Sequence, residues 1–393
     1  MARVVVAMSG GVDSCVAAAM LKEQGHEVIG ITMQLWNHGG DGEGRFDSCC
    51  SLTDVHDARL AAHNLGIPHY VVNYEREFKT GVVDYFAKEY AAGRTPNPCV
   101  LCNSKLKFDH LVERALALGA DWVATGHYAR LEHKDDGTVE LLTGVDPNKD
   151  QSYFLFDVRP DYLKRAMFPL GGLTKPEVRK IAAGMGMHTA EKHESQEICF
   201  VTGRRYSDFL EQHYPDMFKS NPGEIVDRAG NVVGTHDGIH KFTVGQRKGL
   251  GNLVGEGTDA KPKYVAELDA ENNRVVIDDM DNLAVDGLEV AFVNWLVPEA
   301  EVEDRGMTIM VRYRAKTVPC RVERIQGEDR RWRVLLKDKA RWVTPGQAAV
   351  FYDGERVLGG GFIARTGKPA DVVAAPSGLR APVGGASADL RAP

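Results

Sequence analysis

The stretch Arg3-Val4-Val5-Val6-Ala7-Met8-Ser9-Gly10-Gly11-Val12-Asp13-Ser14 decides the fold. Residues 3–8 are a β-branched run of strand character, and residues 13–24, stopped by Gly25, read as a helix. The turn between them has the chemistry of an anion cradle. Glycines let the backbone bend sharply and present N–H groups to an anion. The helix N-terminus adds partial positive charge. Ser9 and Ser14 offer hydroxyls, and Asp13 can hold Mg²⁺ against phosphates. The loop lacks the Lys-Ser/Thr ending of a Walker A motif and the glycine spacing of a dinucleotide site. A plain strand-to-helix turn with a serine or aspartate cap is the simpler reading. Its position after the first strand of an alternating pattern favours the cradle.

Outward from this loop the alternation continues. Residues 27–32, 70–73 and 122–125 read as strands, and residues 53–65, 75–91 and 105–118 as helices. Such a pattern predicts an α/β domain with a parallel sheet covered on both faces, binding ligands at the carboxyl ends of its strands. Residues 130–143 read as a hairpin around Asp136-Gly137. Thr174-Lys175-Pro176-Glu177 is a capping box opening a helix to about Gly184. After about Phe200 the texture changes to short β-rich runs with Gly and Asp turns. The expected division is a catalytic α/β domain over 1–200, a small β-rich domain over 201–280, a β-barrel over 281–365 and a disordered tail over 366–393.

Composition limits the function. The 393 residues exceed one average domain, and 43% apolar with 26% charged residues is ordinary for a soluble globular chain. No apolar run reaches membrane-spanning length and no signal-peptide layout opens the chain, so a cytoplasmic protein without a membrane partner is expected. The net charge of −7 argues against a generic nucleic-acid binder. It is uneven, however: residues 305–341 carry twelve Lys and Arg against four Asp and Glu. That stripe reads either as a localised phosphate footprint or as a solvated strand face.

Seven cysteines in a chain expected in the cytoplasm do not suggest a disulfide framework. In Thr95-Pro96-Asn97-Pro98-Cys99-Val100-Leu101-Cys102-Asn103, two prolines stiffen a loop just before an expected helix. Cys102 would lie near that helix's N-terminus, where thiolate is favoured. The C-x-x-C spacing suits a metal half-site, a redox pair or part of a catalytic pair. Cys15 and Cys320 read as packing. Cys49 and Cys50 lie in a Gly- and Asp-rich loop with no role assigned. Cys199 is read alone as a small core residue.

The 9–14 loop resembles that of the PP-loop ATP pyrophosphatases, which implies cleavage of ATP between the α- and β-phosphates and adenylation of a substrate oxygen. Over about residues 2–365 the chain also resembles the bacterial tRNA-specific 2-thiouridylases. The motifs that carry this are the 9–14 loop, the 95–103 stretch and Ala124-Thr125-Gly126-His127-Tyr128. Asn148-Lys149-Asp150-Gln151-Ser152-Tyr153-Phe154, Ser195-Gln196-Glu197-Ile198-Cys199-Phe200, Phe242-Thr243-Val244-Gly245-Gln246-Arg247 and Arg312-Tyr313-Arg314 complete them.

The resemblance implies a role for each position. Ala7, Met8, Ser9, Gly10, Gly11, Val12, Asp13 and Ser14 would bind ATP, with Met33 and Gly126 near adenine and ribose. Asn97, Pro98 and Cys99 would meet a flipped target base, because C2 of a stacked uracil is out of reach. His127, Lys149, Asp150, Gln151, Arg312, Tyr313 and Gln347 would touch tRNA, with tRNAs for Lys, Glu and Gln as substrates. Cys199 would carry a persulfide from a sulfur-relay partner, and Cys102 would act as nucleophile, leaving a Cys102–Cys199 disulfide.

Many family members have Asp where this chain has Cys99. Cys99 therefore either shapes the base pocket or joins Cys102 and Cys199 as a ligand of a [4Fe–4S] cluster. Another PP-loop ligase or amidotransferase would share the 9–14 loop without needing the cysteines.

Overall fold

The computed structural model of the chain describes residues 1–36, 52–192, 198–201, 205–251, 253, 261–303 and 305–367. The chain opens as β1 (Arg3–Ala7), α1 (Val12–Glu23), β2 (Glu27–Gln34), α2 (Leu52–Leu65) and β3 (His69–Asn73). Next come α3 (Glu75–Phe78), α4 (Asp84–Ala91), α5 (Pro98–Leu101), α6 (Leu111–Ala117) and β4 (Trp122–Ala124). The hairpin β5 (Ala129–His133) and β6 (Val139–Thr143) precedes α7 (Pro160–Leu163), β7 (Ala166–Met167) and α8 (Lys175–Gly184).

Strands β3-β2-β1-β4-β7 form a parallel sheet in that order. β1 is its centre and alternates between two cores, as a pleated strand must. Val4 and Val6 pack with Met8, Cys15 and Leu21 under α1 and α2, whereas Val5 packs with Phe78, Phe86 and Leu106 on the opposite face. The chain winds outward from β1 through β2 to β3 and then returns to β4 on β1's other side. That reversal opens a crevice at the carboxyl ends of β1 and β4, where ligands of such sheets bind.

Two expected helices are interrupted. Residues 79–83 and 102–110 are π-helical, so the 75–91 helix carries a wide turn and the helix expected from 105 begins at Pro98. Wide turns of this kind are rare and concentrate at functional sites.

After α9 (Tyr206–His213) a small sheet follows: β8 (Gly223–Asp227), β9 (Val232–His236), β10 (Lys263–Asp269) and β11 (Arg274–Asp279), in the order β10-β11-β8-β9. Its core gathers Ile225, Phe242, Val265, Val275 and Ile277. The last unit holds β12 (Val285–Trp295), β13 (Met307–Met310), β14 (Val318–Arg324), β15 (Trp332–Ala340), β16 (Ala348–Asp353) and β17 (Arg356–Gly367). The order β12-β15-β14-β13-β16-β17, with β12 also bonded to β17, closes a barrel. β17 extends through Gly367, so Thr366 belongs to the barrel rather than to a tail; positions 368–393 lie outside the described residues.

The barrel and the α/β domain share a core. Along β16, Ala349 and Phe351 point into the barrel, while Ala348, Val350 and Tyr352 join Phe86, Tyr153 and Phe156 of the α/β domain. β6 continues the barrel sheet, with Leu142 opposite Arg356, and Arg356 pairs with Glu140 at 3.0 Å.

A candidate nucleotide and thiol site

The phosphate loop sits at the crevice. Gly10 adopts φ +75°, and a Cβ there would lie 2.1 Å from the Asp54 carbonyl oxygen, so no side chain fits. Ser14 Oγ accepts from Ser9 N–H at 3.1 Å and donates to the Gly11 carbonyl at 3.1 Å. Gly11 is the N-cap of α1 and no side chain caps the helix, which leaves its first N–H groups facing outward for an anion. From beyond β4, Gly126 presses so closely on the loop that a Cβ would lie 2.8 Å from Ser14 N.

Asp13 is already engaged. Its Oδ1 accepts from Tyr128 Oη at 2.7 Å and Lys175 Nζ at 2.8 Å, and its Oδ2 accepts from Lys175 at 2.9 Å. Lys175 is 6% exposed, and its backbone N–H donates to Asp146 Oδ2 at 3.0 Å. Sequence reasoning missed Lys175 as a site residue. It saw only the capping box around it.

A cavity of about 200 Å³ opens in front of the loop. Ala7, Met8, Ser9, Asp13, Ser14, Met33 and Gly126 line it as expected positions, and Gln151 and His127, expected on the tRNA, line it as well. Gly10, Gly11 and Val12 are not among its lining. Gly10 backs onto Asp54, Gly11 caps α1, and Val12 packs with Val16, Tyr128 and Leu170. Lys107, from the π-helical stretch that begins at Cys102, also lines the cavity.

The cysteine loop is held by the barrel. Thr95 N–H donates to the Pro345 carbonyl at 2.9 Å, and Gln347 Nε2 donates to the Thr95 and Pro96 carbonyls at 2.8 and 3.3 Å. Asn97 is buried and bonds the Tyr153 hydroxyl, which itself donates to the Ala348 carbonyl at 2.8 Å. Pro98 is the first helical residue, so Cys99, exposed, takes the first turn. Cys102 lies a turn further in, not at the N-terminus expected for it.

Cys102 and Cys199 are partly buried and border the same apolar core. Among the described residues no three His, Cys, Asp or Glu side chains gather as a metal-binding group. Cys15 and Cys320 are buried, and burial pushes their thiols up to about 11 and about 12, as packing residues. Cys49 and Cys50 lie outside the described residues, as do residues 195–197 of the Cys199 motif.

Family models match in sequence along the chain. They are a tRNA methyl transferase HUP domain over residues 2–203, a tRNA methyl transferase PRC-barrel domain over 207–279 and an aminomethyltransferase β-barrel domain over 285–363. The tRNA-specific 2-thiouridylase MnmA of Geotalea uraniireducens is 52% identical over 92% of this chain and 94% of its own length. The chain belongs to the tRNA-specific 2-thiouridylase family. Family members from Geobacter metallireducens and Magnetococcus marinus match at 51% and 48% identity, each over 92% of this chain and 96% and 98% of their own lengths.

The other positions singled out by the family motifs fall into two groups. Some are enclosed. His127 is 7% exposed, bonds Thr125 Oγ1 through Nδ1 at 2.7 Å and meets Phe168 edge-on. Burial first, and the charge of Lys107 second, hold its pKa well below the usual histidine range, so it is neutral. So enclosed a ring reaches a small ligand or an inserted base, not the outer face of a folded RNA.

Gln151 Oε1 accepts from Tyr128 N–H at 3.0 Å. The Asp150 carboxylate accepts from Gly144 N–H at 2.8 Å and Ser152 Oγ at 2.9 Å, which organises the loop; burial raises its pKa.

Others face outward. Arg312 is exposed, and Tyr313 packs on Phe154 while its hydroxyl donates to the Asp150 carbonyl at 2.9 Å. Arg314 bonds the Asn148 carbonyl and brings the barrel to the Lys149 loop. Much of the basic stripe is balanced. Arg305 pairs with Asp353, Arg324 with Glu299, Arg331 with Glu289 and Arg333 with Glu323. Those four arginines are therefore balanced by carboxylates of the chain itself, with Arg331–Glu289 largely enclosed and the others at the surface. No helix among the described residues is long and apolar enough to cross a membrane.

Proposed function

We propose that the chain is an ATP-dependent tRNA sulfurtransferase that converts the wobble uridine of tRNAs for Lys, Glu and Gln to 2-thiouridine, releasing AMP and pyrophosphate. One observation carries this reading. The wall of the phosphate-loop cavity includes Lys107 of the helical stretch that starts at Cys102, which supports a reading in which nucleotide and thiol chemistry meet. The working division is catalysis by residues 1–200, a linking role for 201–280 and tRNA contact by 281–365, in the cytoplasm.

The open N–H groups of α1 and the Ser9 and Ser14 hydroxyls hold the phosphates. Met33 and Gly126 flank the adenosine. Mg²⁺ fits beside Asp13, whose Oδ2 accepts only from Lys175 among the described residues and keeps a second lone pair, and when bound it neutralises phosphate charge. Lys175 fixes that carboxylate in place. The target base is extruded against Asn97, Pro98 and Cys99, with neutral His127 at the cavity wall and Lys149, Arg312 and Tyr313 on the tRNA.

O2 of the base attacks the α-phosphate, and pyrophosphate leaves. The terminal sulfur of a Cys199 persulfide, supplied by a sulfur-relay protein, then attacks C2. Cys102 thiolate attacks the Cys199 sulfur, so the transferred sulfur stays on C2, AMP departs and a Cys102–Cys199 disulfide awaits an external reductant. No step is routed through an iron–sulfur cluster.

The test is nucleoside mass spectrometry after incubating iron-free protein with unmodified tRNA, Mg·ATP and a persulfide donor. Appearance of 2-thiouridine only with ATP is the expected result. Absence of both thiolation and tRNA-dependent pyrophosphate release would sink the proposal.

A further inference from the structure

The phosphate loop has an acidic back wall. Asp54 lies in the first turn of α2 with its carbonyl against Gly10, and Asp57 follows on the same helix. Both side chains are largely buried, at 9% and 14% exposure. Two carboxylates behind a polyanion cradle would oppose the ligand, since charges a few ångströms apart and shielded from water interact strongly.

Lys192 fills the gap. Its Nζ lies 2.7 Å from Asp54 Oδ1, 2.5 Å from Asp57 Oδ2 and 3.2 Å from the Gly10 carbonyl oxygen. His188 Nε2 adds a contact to Asp57 Oδ1 at 3.2 Å. The backbone here is itself fastened: Arg179 donates to the carbonyls of Ala190 and Lys192 at 2.6 and 3.2 Å. Burial opposes the ammonium charge, but the bonds to Asp54 and Asp57 outweigh it and hold its pKa above the usual lysine value.

The peptide between Gly10 and Gly11 is a planar trans unit, so its C=O and N–H point in opposite directions. A cation that draws the carbonyl toward α2 turns the Gly11 N–H away from α2.

We propose that Lys192 is a positioning residue for nucleotide binding: it offsets one of the two charges of the Asp54–Asp57 pair behind the phosphate loop and holds the Gly10 carbonyl toward α2, so that the Gly11 N–H turns to the opposite side of the loop. It touches no substrate atom. The inference rests on the adenylation reading above.

The test measures the Kd of α,β-methylene-ATP with Mg²⁺ by calorimetry for wild type, Lys192→Gln, Lys192→Arg and Lys192→Gln/Asp57→Asn. Lys192→Gln is expected to weaken binding about tenfold, because carboxylate charge is left unbalanced beside the anion. Lys192→Arg should stay within about threefold, and the double variant should recover most of the loss, since the wild-type net charge returns while the carbonyl contact is missing. Persulfide loading of Cys199, read by protein mass spectrometry, should not change.

Wild-type Kd in Lys192→Gln overturns the proposal. So does a loss that Asp57→Asn fails to relieve, or a parallel loss of persulfide loading, since either marks a merely structural tie. Should Lys192→Gln not fold, the double variant is compared with wild type directly. Binding about threefold weaker is then expected from the missing carbonyl contact, and an unchanged Kd overturns the proposal. Absence of binding by wild type would remove the adenylation reading itself.

Discussion

Among single residues, the thiols and His127 make the sharpest claims. Cys102→Ser or Cys199→Ser should lower 2-thiouridine formation at least about a thousandfold, as loss of a nucleophile does. Single-turnover, tRNA-dependent pyrophosphate release should persist in both, because adenylation precedes sulfur transfer. Loss of both activities together would contradict the proposed order of steps.

His127 titrates as a stability probe. Burial lowers its folded-state pKa well below the unfolded value. The unfolded chain then binds the extra proton below about pH 6.5, so stability is complete above that pH and falls as pH drops. His127→Gln should flatten the slope of unfolding free energy between about pH 6.5 and 5 by up to about 1.4 kcal/mol per pH unit, measured by urea unfolding across that range.

Residues inside local motifs were legible in the sequence; Lys175 was not, because it reaches Asp13 across 162 positions. Lys192 reaches Gly10 across 182. Nothing local to either lysine signals a partner so distant.

Within elements, the loop from β1 to α1 shows how a turn can be both strained and crowded. Gly10 and Gly137 share positive φ, +75° and +79°, but only Gly10 faces an obstacle within 4 Å. Gly137→Ala should therefore cost about 1–2 kcal/mol of backbone strain and leave ATP binding alone. Gly10→Ala should cost more and weaken ATP binding as α2 is pushed back. Equal effects of the two variants on ATP affinity would refute the crowding argument.

The strands and the capping box of α8 follow from apolar periodicity and cap chemistry. The π-helical stretch from Cys102 does not, because an i→i+5 ring leaves no pattern in residue type. Cys102 lies a turn deeper than expected because its helix starts at Pro98, the first helical residue after the Asn97 cap, and not near residue 105.

For the whole molecule, the α/β sheet and a β-barrel after it could be read from alternation and from β-rich texture. Their fusion could not. The strand that receives β6 is β17, and the only sequence trace is that β16 is buried at successive positions instead of alternating with polar ones. Ala348, Val350 and Tyr352 lie in the catalytic core while Ala349 and Phe351 lie in the barrel core. Calorimetry should accordingly show the catalytic domain and barrel melting in one transition, with Val350→Asp lowering it for both. Two separate transitions would contradict a shared core.

The same fusion sets a timetable for biosynthesis. The catalytic domain leaves the ribosome first, but the side chains that cover its face against the barrel belong to residues 348–362. At roughly 5–20 residues per second, the nascent chain waits on the order of ten seconds or more with that apolar face uncovered. Until β16 and β17 emerge, the half-made enzyme is a client for whatever chaperone shields hydrophobic surface at the exit tunnel.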